Sequence, residues 1–152
     1  MTSGLLILVL LTAQNGRLER PCSCRTVSDD ERTRWGNNHV VLSSVARLRV
    51  LRGVVKASND ELMADTLVEV FTDPGVLLLR YSPPVAARRA RQRRIAACLT
   101  NEEGEFCFTR LPAGQFELRC SAAGFQTVSQ GIRVGAKGRV RRKVIVALEP
   151  AT

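Results

Sequence analysis

The sequence has few of the side chains on which most hydrolases depend. It contains one histidine, one tryptophan and one tyrosine in 152 residues. A zinc peptidase site needs two imidazoles and a carboxylate on the metal, whereas His39 is the one imidazole of this chain. A serine–histidine triad would also have to use His39, which lies near no nucleophile elbow. The sequence therefore predicts a protein that is not an enzyme, with no catalytic residue, no metal site and no cofactor.

Apolar runs are short. The run at residues 5–11 is much shorter than the roughly 20 residues that a membrane-spanning helix requires. Its length suits the apolar region of a secretory signal; the alternatives for the same residues are a buried strand or a mis-assigned start codon. We therefore expect a signal peptide at residues 1–13, no transmembrane span, and a secreted or periplasmic location at the cell envelope.

Positive charge is in large excess. The chain has 23 Lys and Arg against 14 Asp and Glu, and a formal net charge of +9. Such a surface attracts polyanions and anionic membranes. Two segments concentrate the charge: Arg88, Arg89, Arg91, Arg93 and Arg94, and then Arg139, Arg141, Arg142 and Lys143. They are interpreted either as solvated surface or as sites for an anionic glycan or lipid. Nucleic acid is disfavoured because no aromatic residues interleave the basic run.

Alternating patterns dominate the second half of the chain. Residues 105–109 place two phenylalanines on one face, and residues 115–120 place a phenylalanine, a leucine and a cysteine on one face. This period of two is typical of half-buried strands. Between them, Pro112 is preset for the corner of a turn and Gly114 is free to take positive φ. Gly104 lies in the turn before residues 105–109 and is also free to take positive φ.

Strands of this kind predict an all-β fold, a seven-stranded antiparallel β-sandwich. We expect the sandwich at residues 48–150, and an irregular leader at residues 14–47 in which Val40 to Val45 could add an edge strand. The insertion at residues 73–94 has room for a short helix that begins at Pro83 or Pro84. The predicted strands are 48–56, 66–72, 95–99, 105–109, 115–121, 128–134 and 139–148.

Eleven residues of these strands and turns carry a family resemblance. They are Thr100, Gly104, Phe106, Phe108, Leu111, Pro112, Gly114, Phe116, Leu118, Gly124 and Phe125. Their spacing resembles the carboxypeptidase regulatory-like domain over residues 48–150, with Asn101 where aspartate is usual and Phe116 where tyrosine is usual. The resemblance implies a prealbumin-like sandwich that serves as a non-catalytic accessory module, often beside peptidase domains or on outer-membrane receptors.

Five cysteines suit an exported protein if some of them pair. If residues 95–109 form a simple hairpin, Cys98 lies opposite Cys107 and a disulfide joins them. If the two strands belong to different sheets, as they can in prealbumin-like folds, that bridge is impossible. Cys22 and Cys24 are too close in sequence for an unstrained mutual bridge. Cys120 shares a face with core residues and is interpreted as a buried free thiol.

The predicted function is that of an exported, non-catalytic accessory or interaction module of the cell envelope. The alternative is an anion- or carbohydrate-binding module that uses the basic insertion at residues 88–94. Neutral sugars usually bind on exposed aromatic rings, for which Trp35 and Tyr81 are the candidates. The expected partner is a protein or an anionic glycan or lipid, and the oligomeric state is not determined by the sequence.

Overall fold

The computed structural model describes residues 23–28, 39–72 and 92–152. Nine strands and no helix occur within these residues, and none of the described segments forms a helix long and apolar enough to cross a membrane. The strands are β1 (Arg25–Thr26), β2 (His39–Leu48), β3 (Leu51–Ala57), β4 (Leu67–Phe71), β5 (Arg94–Leu99), β6 (Glu105–Phe108), β7 (Gly114–Ser121), β8 (Thr127–Val134) and β9 (Val144–Leu148).

The strands form two sheets. The larger has the order β1-β5-β4-β7-β8-β2, and the smaller has the order β6-β3-β9. The all-β sandwich is therefore confirmed, but a purely antiparallel sheet of seven strands is wrong in detail. Two pairs run parallel, β2 with β8 and β3 with β9. Alternation within a strand predicts which residues face inwards, but it does not reveal the direction of the neighbouring strand.

The core lies between the two sheets. Val68 and Leu118 are fully buried on the large sheet, and Val55 and Val146 face them from the small sheet. Each of these residues alternates with outward-facing neighbours, as the period of a strand requires. Phe106 and Phe116 are buried too, so the aromatic positions of the alternating pattern contribute to the core, and Phe108 packs against it half-buried.

Three boundaries differ from those that the sequence predicts. β2 contains residues 40–45 and reaches further in both directions, at the edge of the large sheet. The strand predicted at residues 48–56 begins only at Leu51, because Leu48 still belongs to β2. The last strand begins at Val144 rather than at Arg139. Residues 139–143 lack alternating apolar side chains and follow Gly135 and Gly138, both at positive φ. They therefore remain in the loop that joins β8 to β9.

The crossing between the sheets is short. Only Arg49 and Val50 separate β2 of the large sheet from β3 of the small sheet. The residues on either side of the crossing, Leu48 and Leu51, are both fully buried. The chain is thus anchored in the core immediately before and immediately after it changes sheet, and the ends of β2 and β3 are held together.

The turn before β6 depends on Thr100 and Gly104. The Thr100 hydroxyl donates to the carbonyl oxygen of Met63 at 2.6 Å and accepts from the amide of Thr66 at 3.0 Å. Gly104 has φ of 71° and lies against Val55, whose amide donates to the Gly104 carbonyl oxygen at 2.8 Å. Gly114 also has positive φ, of 157°, as the sequence predicts.

We predict that Gly104→Ala destabilises the protein more than Gly124→Ala. Both glycines have positive φ, but a Cβ at Gly104 would lie 2.5 Å from the Val55 carbonyl oxygen, whereas a Cβ at Gly124 would meet no atom within 4 Å. The left-handed backbone alone should cost about 1 kcal/mol, and the added clash should bring the loss at Gly104 to about 3 kcal/mol. Urea denaturation of both variants measures the difference, and equal midpoints would contradict this role for Gly104.

Candidate functional site

The loop that joins β8 to β9 is fixed to the crossing between the sheets. The amide of Gly135 donates to the Arg49 carbonyl oxygen at 3.2 Å, and the amide of Ala136 donates to that of Leu48 at 3.1 Å. Further along the loop, the Arg141 amide donates to the Arg47 carbonyl oxygen at 2.9 Å. These backbone hydrogen bonds bring the loop, the end of β2 and the end of β8 together at one end of the sandwich.

This end carries a cluster of positive charge, which we call the basic end. Its eight exposed basic residues are Arg47, Arg49, Arg133, Lys137, Arg139, Arg141, Arg142 and Lys143. None of them forms an ion pair with a carboxylate of the described residues. The reason is visible in the sequence, because neither residues 39–59 nor residues 118–148 contain an Asp or Glu. Eight uncompensated cations therefore share one surface.

Two of these arginines are direct neighbours across strands. Arg47 of β2 is the register partner of Arg133 of β8, and both lie on the outer face of the large sheet. Like charges in such positions repel one another and destabilise a sheet. The Arg47 guanidinium donates to the Lys137 carbonyl oxygen at 3.2 Å, which holds it within the cluster. The arrangement opposes stability when no anion is bound and favours a bound anion.

The exposed carboxylates of the described residues lie at the opposite end. β3 and β9 start at the basic end and run in parallel towards loops that carry six exposed acidic residues, namely Asp60, Glu61, Asp65, Glu102, Glu103 and Glu149. Two of these are already paired, Asp60 with Lys56 and Asp65 with Arg25. Among the described residues, exposed charges of opposite sign are therefore separated along the strands, and the field of the basic end attracts anions.

The arginines predicted from the insertion are only partly described. Arg88, Arg89 and Arg91 lie outside the described residues. Arg93 is exposed, but Arg94 is wrong as a surface anion site because its side chain is 6% exposed and its guanidinium pairs with Glu69 at 3.2 Å. Arg94 is the first residue of β5 and lies over Glu69. Its guanidinium is therefore already paired with a buried carboxylate.

That ion pair belongs to a buried polar network on the outer face of the large sheet. Arg119 lies 3.3 Å from Glu117, and its guanidinium carbon lies 3.9 Å from the centre of the Phe71 ring. Gln92 bridges the pair, since it donates to Glu117 and accepts from Arg119 at 3.2 Å. Glu69 and Glu117 are both 0% exposed. Buried charges of this kind require such partners.

The cysteines differ from the predicted pairing. Cys98 is a free thiol, and Cys107 is disulfide-bonded, so the bridge between Cys98 and Cys107 is wrong. The reason is that β5 belongs to the large sheet and β6 to the small sheet; the two strands are not a hairpin. Cys120 is free and fully buried, as its position among core residues predicts.

No metal-binding cluster is present among the described residues, where no group of three or more His, Cys, Asp or Glu side chains could hold an ion. His39 is half-buried in β2, and its Nε2 lies 2.6 Å from the Ser129 hydroxyl. Sequence reasoning singled out part of the loop at the basic end but missed Arg47, Arg49 and Arg133. The lack of acidic residues in both segments was the available signal.

We predict that Glu69→Gln strongly destabilises the protein. The substitution removes the negative charge beside Arg94, whose side chain is buried. Removal of one charge from a buried ion pair should cost about 3 to 5 kcal/mol. Glu103→Gln is the control, since this exposed carboxylate should contribute less than about 0.5 kcal/mol. Chemical denaturation measures both, and a Glu69→Gln midpoint equal to that of the control would show that the network does not stabilise the fold.

Solved structures offer only weak likenesses. Catechol 1,2-dioxygenase from Acinetobacter radioresistens is 12% identical with a TM-score of 0.40, over 84% of this chain and 62% of that one. 3-Chlorocatechol 1,2-dioxygenase from Rhodococcus opacus is 11% identical with a TM-score of 0.41, over 85% of this chain and 74% of that one. A putative carbohydrate binding protein from Pseudomonas aeruginosa is 17% identical with a TM-score of 0.33, over 64% of this chain and 86% of that one. TM-scores this low support no inference about function, and the chain spans less than two thirds of the first of these enzymes.

A search of curated proteins found no match. The model of one family, the carboxypeptidase regulatory-like domain, matches residues 50–149. That match covers the strands from β3 to β9 and the turns between them, which are the parts that carry the alternating pattern. The domains of this family are regulatory and non-catalytic. The chain belongs to the carboxypeptidase regulatory-like domain family.

Proposed function

We propose that this chain is an exported, non-catalytic binding module whose basic end binds an anionic glycan of the cell envelope. The observation that carries the proposal is the meeting of eight exposed cations at one end of the sandwich without a carboxylate partner among the described residues. Most surface cations of folded proteins lie among charges of both signs. A surface of one sign instead concentrates anionic ligands.

The composition of the basic end favours a polymer with carboxylate, sulfate or phosphate groups. Six of its eight members are arginines, and the planar guanidinium binds such groups through two parallel hydrogen bonds. The cations lie on two strand ends, on the crossing between the sheets and on a loop. Contacts spread in this way suit a ligand with repeated charges.

The lack of aromatic platforms argues for a charged glycan over nucleic acid or a neutral sugar. The exposed large apolar residues of the described segments are Val40, Val45, Val50, Leu62 and Ile145, and none of these carries a ring. Single-stranded nucleic acids bind largely by stacking bases on aromatic side chains. Trp35 and Tyr81, the candidates for sugar stacking, lie outside the described residues.

Export is supported by the disulfide at Cys107 together with the apolar run at residues 5–11. Disulfides persist in secreted and periplasmic proteins and are rare in the cytosol. An anionic glycan of the cell envelope is a polyanion that such a protein meets. The two parts of the proposal are thus consistent with each other.

A protein partner is the second candidate. β9 is an edge strand of the small sheet, and Ile145 at its outer face is 53% exposed. Exposed edges can add a strand from another chain. Ile145→Lys would weaken such a complex and leave glycan binding unchanged or stronger.

Binding of the full chain to sulfated and carboxylated polysaccharides tests the glycan proposal, with anionic lipid vesicles and single-stranded DNA as parallel probes. We expect the double variant Arg133→Gln with Arg141→Gln to weaken glycan binding about tenfold or more, and wild-type binding to fall as salt rises. The control is Arg25→Gln with Lys56→Gln, which removes the same charge at the opposite end. Equal losses in both double variants would contradict a site at the basic end.

A separate variant addresses the insertion. It replaces Arg88, Arg89, Arg91 and Arg93 with Gln and leaves the buried Arg94 in place. We expect it to retain most of the glycan binding. Loss of binding in this variant, with the basic end intact, would move the site to the insertion. Preference for vesicles or DNA over every polysaccharide would contradict the ligand class.

We predict that Arg133→Gln stabilises the protein while it weakens the binding of anions. Removal of one charge relieves the repulsion between Arg47 and Arg133, which should raise the free energy of unfolding by about 0.5 kcal/mol at low salt. The gain should disappear in about 1 M salt, where the Debye length is near 3 Å. Denaturation at two salt concentrations measures it, and a loss of stability at low salt would show that the pair does not repel.

A further inference from the structure

Three cysteines meet where the leader contacts both sheets. Cys24 immediately precedes β1. Thr26, the second residue of β1, is the register partner of Cys98 in β5. The Cys24 thiol donates to the carbonyl oxygen of Cys107 in β6 at 3.4 Å. Cys24 and Cys98 also line the same cavity. Two free thiols therefore lie close together at a point where the large and small sheets come together.

The two thiols differ in their access to solvent. Cys24 is half-buried, whereas Cys98 is only 3% exposed. A hydrogen bond from Cys98 lowers the pKa of Cys24 to about 6, although the partial burial of Cys24 acts in the opposite direction. The same hydrogen bond, together with burial, raises the pKa of Cys98. Cys24 thus has the character of an attacking thiolate, and Cys98 that of a thiol that reacts second.

An open cavity of about 330 Å³ adjoins the thiols. Its lining includes Cys24, Cys98, Cys107, Phe108, Arg110 and Leu111. This volume is at the lower end of the range for small-molecule sites. Arg110 supplies an exposed positive charge at the rim, and apolar side chains form much of the remaining wall. The cavity therefore suits a small anionic molecule that reaches the sulfur of Cys24.

We propose that Cys24 and Cys98 form a redox-active dithiol that is oxidised by a low-molecular-weight anionic disulfide bound in this cavity. The site is independent of the basic end and of the ligand proposed for it. It rests on the position of the two free thiols in the lining of one cavity, on the pairing of β1 with β5 beside them, and on the unequal exposure of the two thiols. Cys120 has no part in it, because this thiol is fully buried elsewhere in the core.

The reaction needs no other oxidant. The Cys24 thiolate attacks one sulfur of the bound disulfide, a bond forms between Cys24 and that sulfur, and the other half leaves as a thiolate. Cys98 then gives its proton to the departing thiolate and attacks the Cys24 sulfur. The Cys24–Cys98 disulfide forms, and the second half of the small molecule leaves. Two protein thiols are oxidised, and one disulfide is reduced to two thiols.

Closure of this bond would have a structural consequence. Segment 23–28 contacts the large sheet through β1, a strand of two residues. A covalent link from Cys24 to β5 would hold this segment against the sheet after oxidation.

Oxidised glutathione, an anionic disulfide, is the probe. The full chain with Cys24 and Cys98 reduced is mixed with it, quenched in acid, alkylated, and mapped by mass spectrometry. We expect wild type to form the Cys24–Cys98 link, and Cys98→Ser to stop with one glutathione on Cys24. Cys24→Ser should gain no glutathione on Cys98, and Cys120→Ser should behave as wild type. Absence of the adduct in Cys98→Ser, or a wild-type link from Cys24 to Cys107 instead, would overturn the proposal.

Arg110→Gln examines the cavity. We expect the reaction with oxidised glutathione to slow about threefold, because one attractive charge is lost. The reaction with the uncharged 2-hydroxyethyl disulfide should not change. Equal slowing of both reagents would show that Arg110 acts on the fold and not on the anionic ligand, and this would overturn the proposed ligand class.

The pH dependence of alkylation separates a reactive pair from two unconnected thiols. The rate of Cys24 alkylation by iodoacetamide follows the thiolate fraction, so wild type should show a midpoint near pH 6. Cys98→Ser keeps a hydrogen-bond donor and should keep a low midpoint, whereas Cys98→Ala should shift it towards the ordinary value of 9.0. A midpoint near 9 in wild type would overturn the assignment of Cys24 as the attacking thiol, and matching thermal melts would show that all variants are folded.

Discussion

The structure depends on the two-residue crossing between the sheets. Arg49 and Val50 carry the chain from the large sheet to the small one, between two leucines that are fully buried. Because both neighbours are anchored in the core, the ends of β2 and β3 cannot separate. The parallel partners of these strands, β8 and β9, are therefore joined across the same end of the sandwich. The loop between them lies against the crossing through three backbone hydrogen bonds.

This arrangement explains how a general excess of positive charge becomes a local one. Segments 39–59 and 118–148 lack acidic residues, but they are separated by almost sixty residues of chain. The parallel pairing of β2 with β8 places Arg47 beside Arg133. The exposed acidic residues of the described segments lie in loops at the other end, because β3 and β9 run away from the crossing. The topology of the fold thus places the exposed cations of the basic end and the exposed carboxylates of the described residues at opposite ends of the strands.

Arginines serve two different purposes in this fold. Arg94 and Arg119 are buried beside Glu69 and Glu117, where each charge has a partner of opposite sign. Removal of a partner there exposes the full cost of desolvation. The arginines of the basic end remain in water, where the cost of a lone charge is small and the charge is available to a ligand. Burial decides which purpose an arginine serves, and residue type does not.

Much of the fold was determined by the sequence itself. The alternation in residues 105–109 and 115–120 predicted strands and their inward faces, because a period of two follows from the pleat of a single strand. Gly104 was predicted at positive φ, because it lies in a turn and a glycine has no Cβ to disfavour that conformation. The core role of Phe106 and Phe116 followed from the same local rules. The family could be identified because its pattern consists of these local features.

Tertiary structure alone decided the rest, for reasons of long-range pairing. The parallel partners of β2 and β3, the separation of β5 from β6 into different sheets, and the free state of Cys98 depend on contacts between distant segments. The alternation of apolar and polar residues along a strand does not show which strand lies beside it. Glu69, Glu117 and Arg119 occupy outward positions that usually face solvent, yet they are buried. The sequence determined which charges and thiols exist, and the tertiary structure decided which of them meet.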